Sequence, residues 1–243
     1  MIPMSGSQRL FRLNIWMTLC AFPVLIALLA LGTWQLERLS WKESLIAERR
    51  AKLAFPPIDI AKIKTIHWRK YEYRLVELSG RFLHEKEMFL QNSVRRGMAG
   101  KQIITPFLND SGGHILVDRG WVPISSATSL VKFNRPTGRV KLTGVIREGI
   151  APSTWTPDNR PRIDLWFYVD VGQMSNKWDI SNFYPFYVRT QFDSGKTGYP
   201  LGTDFQVKIP NNHLQYAITW YGIAVALVII CMIYQVRSRE VNN

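Results

Sequence analysis

Residues 13–34, LNIWMTLCAFPVLIALLALGTW, carry no charged side chain over 22 positions, and residues 214–234, LQYAITWYGIAVALVIICMIY, repeat the feature over 21. At about 1.5 Å per helical residue each run is roughly 32 Å long, enough to cross a hydrocarbon core. The fold follows from this pair: two spans at the ends of a 243-residue chain, with residues 35–213 between them on one side of a membrane. A mean hydropathy of -0.07 conceals the arrangement, because the polar middle offsets the two apolar ends.

The first run follows a short basic segment (Arg9, Arg12), as a signal peptide would. Its apolar stretch exceeds the usual 7–15 residues and no A-x-A site follows before Trp34, so it reads as an uncleaved anchor. The tail of 12 residues is too short to hold a mitochondrial presequence ahead of the span, which points to a bacterial cytoplasmic membrane. Charge does not fix the orientation. Arg9, Arg12, Arg237 and Arg239 pull the tails inward, while Arg38, Lys42, Arg49, Arg50 and Lys52 argue the opposite, and long loops are partly exempt from the rule.

The chain has a net charge of +13, of which the middle segment contributes +10 from 27 bases and 17 acids. Beside two spans such a balance reads as attraction to anionic headgroups or an acidic partner rather than to nucleic acid. The two cysteines, Cys20 and Cys231, lie one in each apolar run. The middle therefore holds no disulfide, CxxC redox pair, zinc knuckle or CxxCH haem attachment, and within the spans the thiols read as small apolar packing groups.

Residues 36–53, LERLSWKESLIAERRAKL, contain neither Gly nor Pro and predict a helix ended by Pro56 and Pro57. Arg38, Lys42, Arg49 and Lys52 fall on one face of it. That stripe is open to two readings, a solvated face beside headgroups or a site for phosphate or carboxylate groups. From Tyr71 the period becomes two. Residues 71–78, 87–92, 102–108, 114–122, 140–147, 165–171 and 186–191 read as strands, separated by turn signals such as Arg96-Gly97 and Asn109-Asp110-Ser111-Gly112-Gly113. Residues 151–161 read as a long loop and 172–178 as a short helix. The expected architecture is a membrane protein of α+β class: two transmembrane helices flanking an antiparallel β-rich, barrel- or sandwich-like extracytoplasmic domain.

No GxSxG, HExxH, Walker A or GxGxxG motif occurs, and no two of His67, His84, His114 and His213 share a metal-ligand spacing. The seven methionines form no Met-rich copper motif. His84-Glu85-Lys86-Glu87 reads as a polar turn, and Asp118-Arg119, inside the apolar run ILVDRGWV, as a strand-end pair with its charges outward or paired. Nothing here resembles an enzyme active site. One position is sharper. Pro210-Asn211-Asn212-His213 opens the second span, with either Asn a candidate cap, so His213 stands in a first helical turn at the membrane surface. There the helix dipole favours the neutral imidazole, a metal ligand. Tyr216, Ala217, Trp220 and Ala224 follow at i+3, i+4, i+7 and i+11, an aromatic face with small residues between. Such a face could carry a flat apolar cofactor, or it could be an interfacial His above an ordinary aromatic belt. Gln215 and Thr219 lie on another face and are expected to bond to the first span.

Leu31-Gly32-Thr33-Trp34-Gln35-Leu36-Glu37-Arg38, with Lys42, Leu45 and Ile46 beyond, resembles the opening block of the surfeit locus protein 1 family. Leu78-Ser79-Gly80-Arg81-Phe82, Ile115-Leu116-Val117-Asp118-Arg119-Gly120-Trp121-Val122-Pro123 and Leu142-Thr143-Gly144-Val145-Ile146-Arg147 are similar to its next blocks, and residues 210–221, PNNHLQYAITWY, to its C-terminal signature. The departures are Asp118 and Asp164, where the family commonly carries Asn. The resemblance implies an assembly factor for haem-a-containing cytochrome c oxidase, not an enzyme. It assists delivery of haem a to oxidase subunit I, with haem a transiently bound. It implies His213 as ligand of the haem iron, beside Tyr216 and Trp220 as cofactor-binding residues. Subunit I, the haem a synthesis enzymes and membrane lipid are the implied partners. It also orients the chain: tails 1–12 and 235–243 cytoplasmic, spans 13–34 and 214–234, and residues 35–213 in the periplasm of a bacterial cell inner membrane. An alternative of another class is a purely structural membrane chaperone that stabilises a subunit I intermediate without binding haem.

Overall fold

The computed structural model of the chain describes residues 15–124, 134–149, 152–191, 198–203, 205 and 210–240. The tail 1–12, with Arg9 and Arg12, lies outside the described residues. Two compact units result, residues 1–47 with 208–243, and residues 48–207.

The first unit is a pair of helices. Helix α1, Ile15–Ala54, runs unbroken through Pro23, so the apolar run and the basic helix read after it are one 40-residue element. Its partner, named α3 below, is His213–Glu240. Both are long and apolar enough to cross a membrane. The helices are antiparallel, as their polar pairs show: Gln35 with His213 at 2.7 Å, Thr33 with Tyr221 at 3.1 Å, and Gln235 with Thr18 at 3.3 Å. The seam sets small residues against larger ones. Leu28, Gly32 and Gln35 on α1 and Ala217 and Ala224 on α3 are buried, whereas most other apolar side chains of both helices face outward. A Cβ on Gly32 would lie 2.8 Å from the Tyr221 ring, so glycine is what lets that ring settle on the backbone of α1.

The second unit is built on a seven-stranded mixed sheet. Its strands are β1 (Ile58–Asp59), β2 (Leu75–Phe82), β3 (Met88–Arg95), β4 (Met98–Asn109), β5 (His114–Pro123), β6 (Val140–Arg147) and β7 (Phe183–Thr190), in the order β1-β2-β6-β7-β5-β4-β3. A further pairing of β2 with β4, Gly80↔Asn109 to Phe82↔Phe107, closes five of them into a barrel-like ring. Two pairings are parallel, β1 with β2 and β5 with β7, where the sequence predicts antiparallel ones throughout. The second follows from the long connection between β5 and β7, which carries the chain back to the same end before β7 begins.

Alternation along the strands sorts the core. Val76, Leu78 and Phe82 of β2, Ile115 and Val117 of β5, Leu142 and Ile146 of β6, and Phe186 and Val188 of β7 join Ile60, Ile63, Trp68 and Phe107 in the main cluster. Leu116 and Tyr187, one position out of step, face the other side and meet Met88, Ile104, Trp166, Val169 and Met174 in a second cluster. A short helix, α2 (Val171–Lys177), delivers Met174 to it, with the Asp170 carboxylate accepting from the Gln173 backbone N–H at 2.9 Å as its N-cap.

Two expectations are corrected. Residues 165–171 are not a strand: Pro161–Ile163 is a 3-10 turn, Asp164 is left-handed at φ 56°, and only single bridges at Leu165 and Trp166 follow. The run is apolar because Trp166 and Val169 plug the outer cluster, which buries them without a ladder. Residues 71–74 likewise lie outside the sheet. Tyr71 ends a 3-10 segment, Tyr73 has φ 67°, and β2 begins at Leu75.

Candidate functional site

His213 is the first residue of α3 and is half-buried. Its Nδ1 lies 2.7 Å from Oε1 of Gln35, a side chain only 9% exposed in the helix seam. An amide oxygen can only accept, so the imidazole donates from Nδ1 and keeps its lone pair on Nε2. Among the described residues no group bonds Nε2. The segment before α3 is held by Lys42, whose ammonium donates to the Pro210 carbonyl at 2.6 Å. Lys42 and Arg38 are the cations whose charge reaches the imidazole. The Asn212 carbonyl accepts from the Tyr216 N–H at 3.2 Å and so opens the helix. Asn211 is not the cap: its side-chain oxygen is buried without a partner beside the imidazole-bearing turn.

The aromatic face beneath His213 divides. Ala217 and Ala224 are 1% and 2% exposed because α1 covers them, so they serve the seam and not a cofactor surface. Tyr216 remains 55% exposed and Trp220 half-buried beside that seam, leaving their rings the accessible part of the face. Thr219 donates to the Gln215 carbonyl of its own helix at 2.9 Å, so the expected bond to the first span is not made there. The cross-helix polar links come from Thr33, Gln35 and Thr18 instead.

The four cations of the predicted stripe are each engaged. Arg38 stacks 4.0 Å from the Trp41 ring, Lys42 holds Pro210, Arg49 lies 4.5 Å over Tyr73, and Lys52 pairs with Glu48 at 2.9 Å. Only Arg38 and Lys42 belong to the unit that contains His213.

The remaining histidines are elsewhere. His67 is exposed in a 3-10 segment, and His114 bonds the Ser181 carbonyl at 3.1 Å. His84 joins a buried ionic cluster that the sequence does not announce. Arg119, fully buried, donates to Glu87 at 2.6 Å; Arg135 reaches the other carboxylate oxygen at 2.9 Å; Thr105 adds 3.1 Å. Burial pushes the Glu87 carboxyl up, but His84, Arg119 and Arg135 outweigh it and hold the group below its ordinary value. Burial also lowers Arg119 to about 10. Asp118 is paired separately, with Arg189 at 3.0 Å and Gln102 at 2.7 Å. The Asp118-Arg119 pair is thus inside the sheet with both charges matched, and Asp164, the other departure, accepts from the Trp166 indole at 2.7 Å and from Lys177. Among the described residues no three His, Cys, Asp or Glu groups converge on a metal position.

A two-helix membrane unit joined to a closed mixed β-sheet, with one imidazole held at the mouth of the helix pair, defines the class. A sequence model of the SURF1 family matches residues 22–225. The chain is 36% identical over 214 residues to a SURF1-like protein of Monosiga brevicollis, covering 80% of this chain and 78% of that one. It is 32% identical over 212 residues to Surfeit locus protein 1 of Rattus norvegicus, covering 81% and 68%. It is 31% identical over 224 residues to a SURF1-like protein of Rickettsia bellii, covering 90% and 89%. The chain belongs to the SURF1 family.

Proposed function

We propose that the chain is an assembly factor for haem-a-containing cytochrome c oxidase, with no catalytic role of its own, and that it holds haem a for delivery to subunit I of the oxidase. The observation that carries this reading is the imidazole of His213, bound at Nδ1 by buried Gln35 and unbonded at Nε2 among the described residues, at the end of a membrane-spanning helix. The donor set suits haem iron: one imidazole nitrogen unbonded among the described residues, and two aromatic side chains on the same helix. When bound, haem a would supply an iron that accepts an imidazole nitrogen and a largely apolar macrocycle suited to bilayer depth. His213 would supply that nitrogen, Tyr216 and Trp220 would offer ring faces to the macrocycle, and Arg38 and Lys42 would offer charge to its propionates. A single protein ligand also suits a carrier, since release then needs one bond broken. Residues 35–213 face the periplasm of a bacterial inner membrane in this reading, and the tails face the cytoplasm.

Deleting the chain tests the assembly role. Oxidase activity dependent on haem a is expected to fall while haem a itself is still made. Oxidase with its full haem and copper in the deletion strain would contradict the reading.

A further inference from the structure

Gln35 makes a contact whose chemistry reaches beyond packing. Its side chain is 9% exposed, on the face of α1 turned to α3, in line with Leu28 and Gly32. A polar amide buried there is costly unless bonded, and its oxygen meets Nδ1 of His213 at 2.7 Å, a short N–H to O distance. In water a neutral histidine favours the proton on Nε2, which would block that nitrogen as a ligand. The contact reverses the preference. The Lys42 bond to the Pro210 carbonyl ties down the chain just before the turn that bears the ring.

We infer that Gln35 is a positioning residue that fixes His213 as the Nδ1–H tautomer and thereby presents an unprotonated Nε2. That this nitrogen then takes haem iron rests on the reading above; the tautomer does not. Gln35 touches no cofactor atom in this role. It acts through the imidazole, as a second partner does at histidine metal sites, where losing it costs about 10–100-fold in affinity.

The test reads the proton directly. The full chain, labelled with 15N-histidine and purified in detergent without haem, is examined by long-range 1H–15N correlation at mildly alkaline pH, with His213→Ala identifying the signals. The wild-type ring is expected to show a protonated Nδ1 and a pyridine-like Nε2. Gln35→Leu, which keeps volume and removes the acceptor, is expected to swap the two; Gln35→Glu is expected to retain Nδ1–H. An Nε2–H ring in the wild type, or the same tautomer in Gln35→Leu, overturns the inference. Should Gln35→Leu fail to accumulate, the wild type and Gln35→Glu decide it alone. In protein loaded with haem a, Gln35→Leu is expected to bind about 10–100-fold more weakly and Gln35→Glu to lower the haem reduction midpoint. Equal affinity in Gln35→Leu contradicts the positioning role. Wild-type protein that binds no haem at all sinks the haem reading and leaves the tautomer result standing.

Discussion

Glu87 gathers two guanidinium groups, an imidazole and a hydroxyl around one buried carboxylate. Removing its charge leaves the fully buried Arg119 uncompensated, so Glu87→Gln is expected to cost about 3–5 kcal/mol in thermal or denaturant unfolding of the full chain. The sign with pH follows from the depressed carboxyl. Its contribution is complete above the ordinary glutamate range and is lost as pH falls through the folded value. The gap between wild type and Glu87→Gln should therefore hold at neutral pH and narrow progressively as pH falls below the ordinary glutamate range. A gap that stayed constant into acid would mean that the Glu87 carboxyl titrates alike in the folded and unfolded chain. Nothing local separates Glu87 from Glu85 in the sequence, because the partners of Glu87 stand far along the chain, at Arg119 and Arg135. Gln35 was equally silent, a polar residue just past an apolar run. His213 could be singled out because its evidence is local: a helix start, with aromatic residues at helical spacing below it.

The helix pair rests on small residues, and this sets what it tolerates. Gly32→Leu places a side chain where the Tyr221 ring lies, only 2.8 Å from the first added carbon, and must push α1 from α3. With Cys20 and Cys231 replaced by Ala, the pair Thr18→Cys and Gln235→Cys is expected to crosslink readily, since the native side chains touch at 3.3 Å. Adding Gly32→Leu should slow that crosslinking several-fold; an unchanged rate would refute the seam. Elements whose periodicity reflects one buried face were legible. β4, β5 and β6 lie where period-two runs placed them, and α2 falls within a residue of its expected start. The run 165–171 misled because burial alone makes a segment apolar, whether it pairs in a sheet or plugs a cluster from outside. The parallel β5–β7 pairing was also invisible, since register between distant strands is a property of the closed ring and not of either strand.

At the scale of the molecule the proposed function requires a defined sidedness. Alkaline phosphatase joined after Asn159 is expected to be active and after Asn243 inactive, with the reverse pattern excluding a periplasmic domain. Two spans and a β-rich middle could be read from composition and period, and the order of five sequence blocks pointed to the family that the comparisons show. The choice between barrel and sandwich stayed open, because the β2–β4 pairing that closes the sheet joins segments whose edges give no sign of each other. The central claim is that His213 ligates haem a iron. The direct measurement is the absorption spectrum of the chain purified from cells that make haem a, compared among wild type, His213→Ala, His67→Ala, His84→Ala and His114→Ala. Wild type is expected to show a Soret band that His213→Ala loses or strongly shifts while still accumulating in the membrane, with the other three substitutions leaving it largely intact. A band that persists unchanged in His213→Ala would contradict the assignment and favour a chaperone that never touches haem.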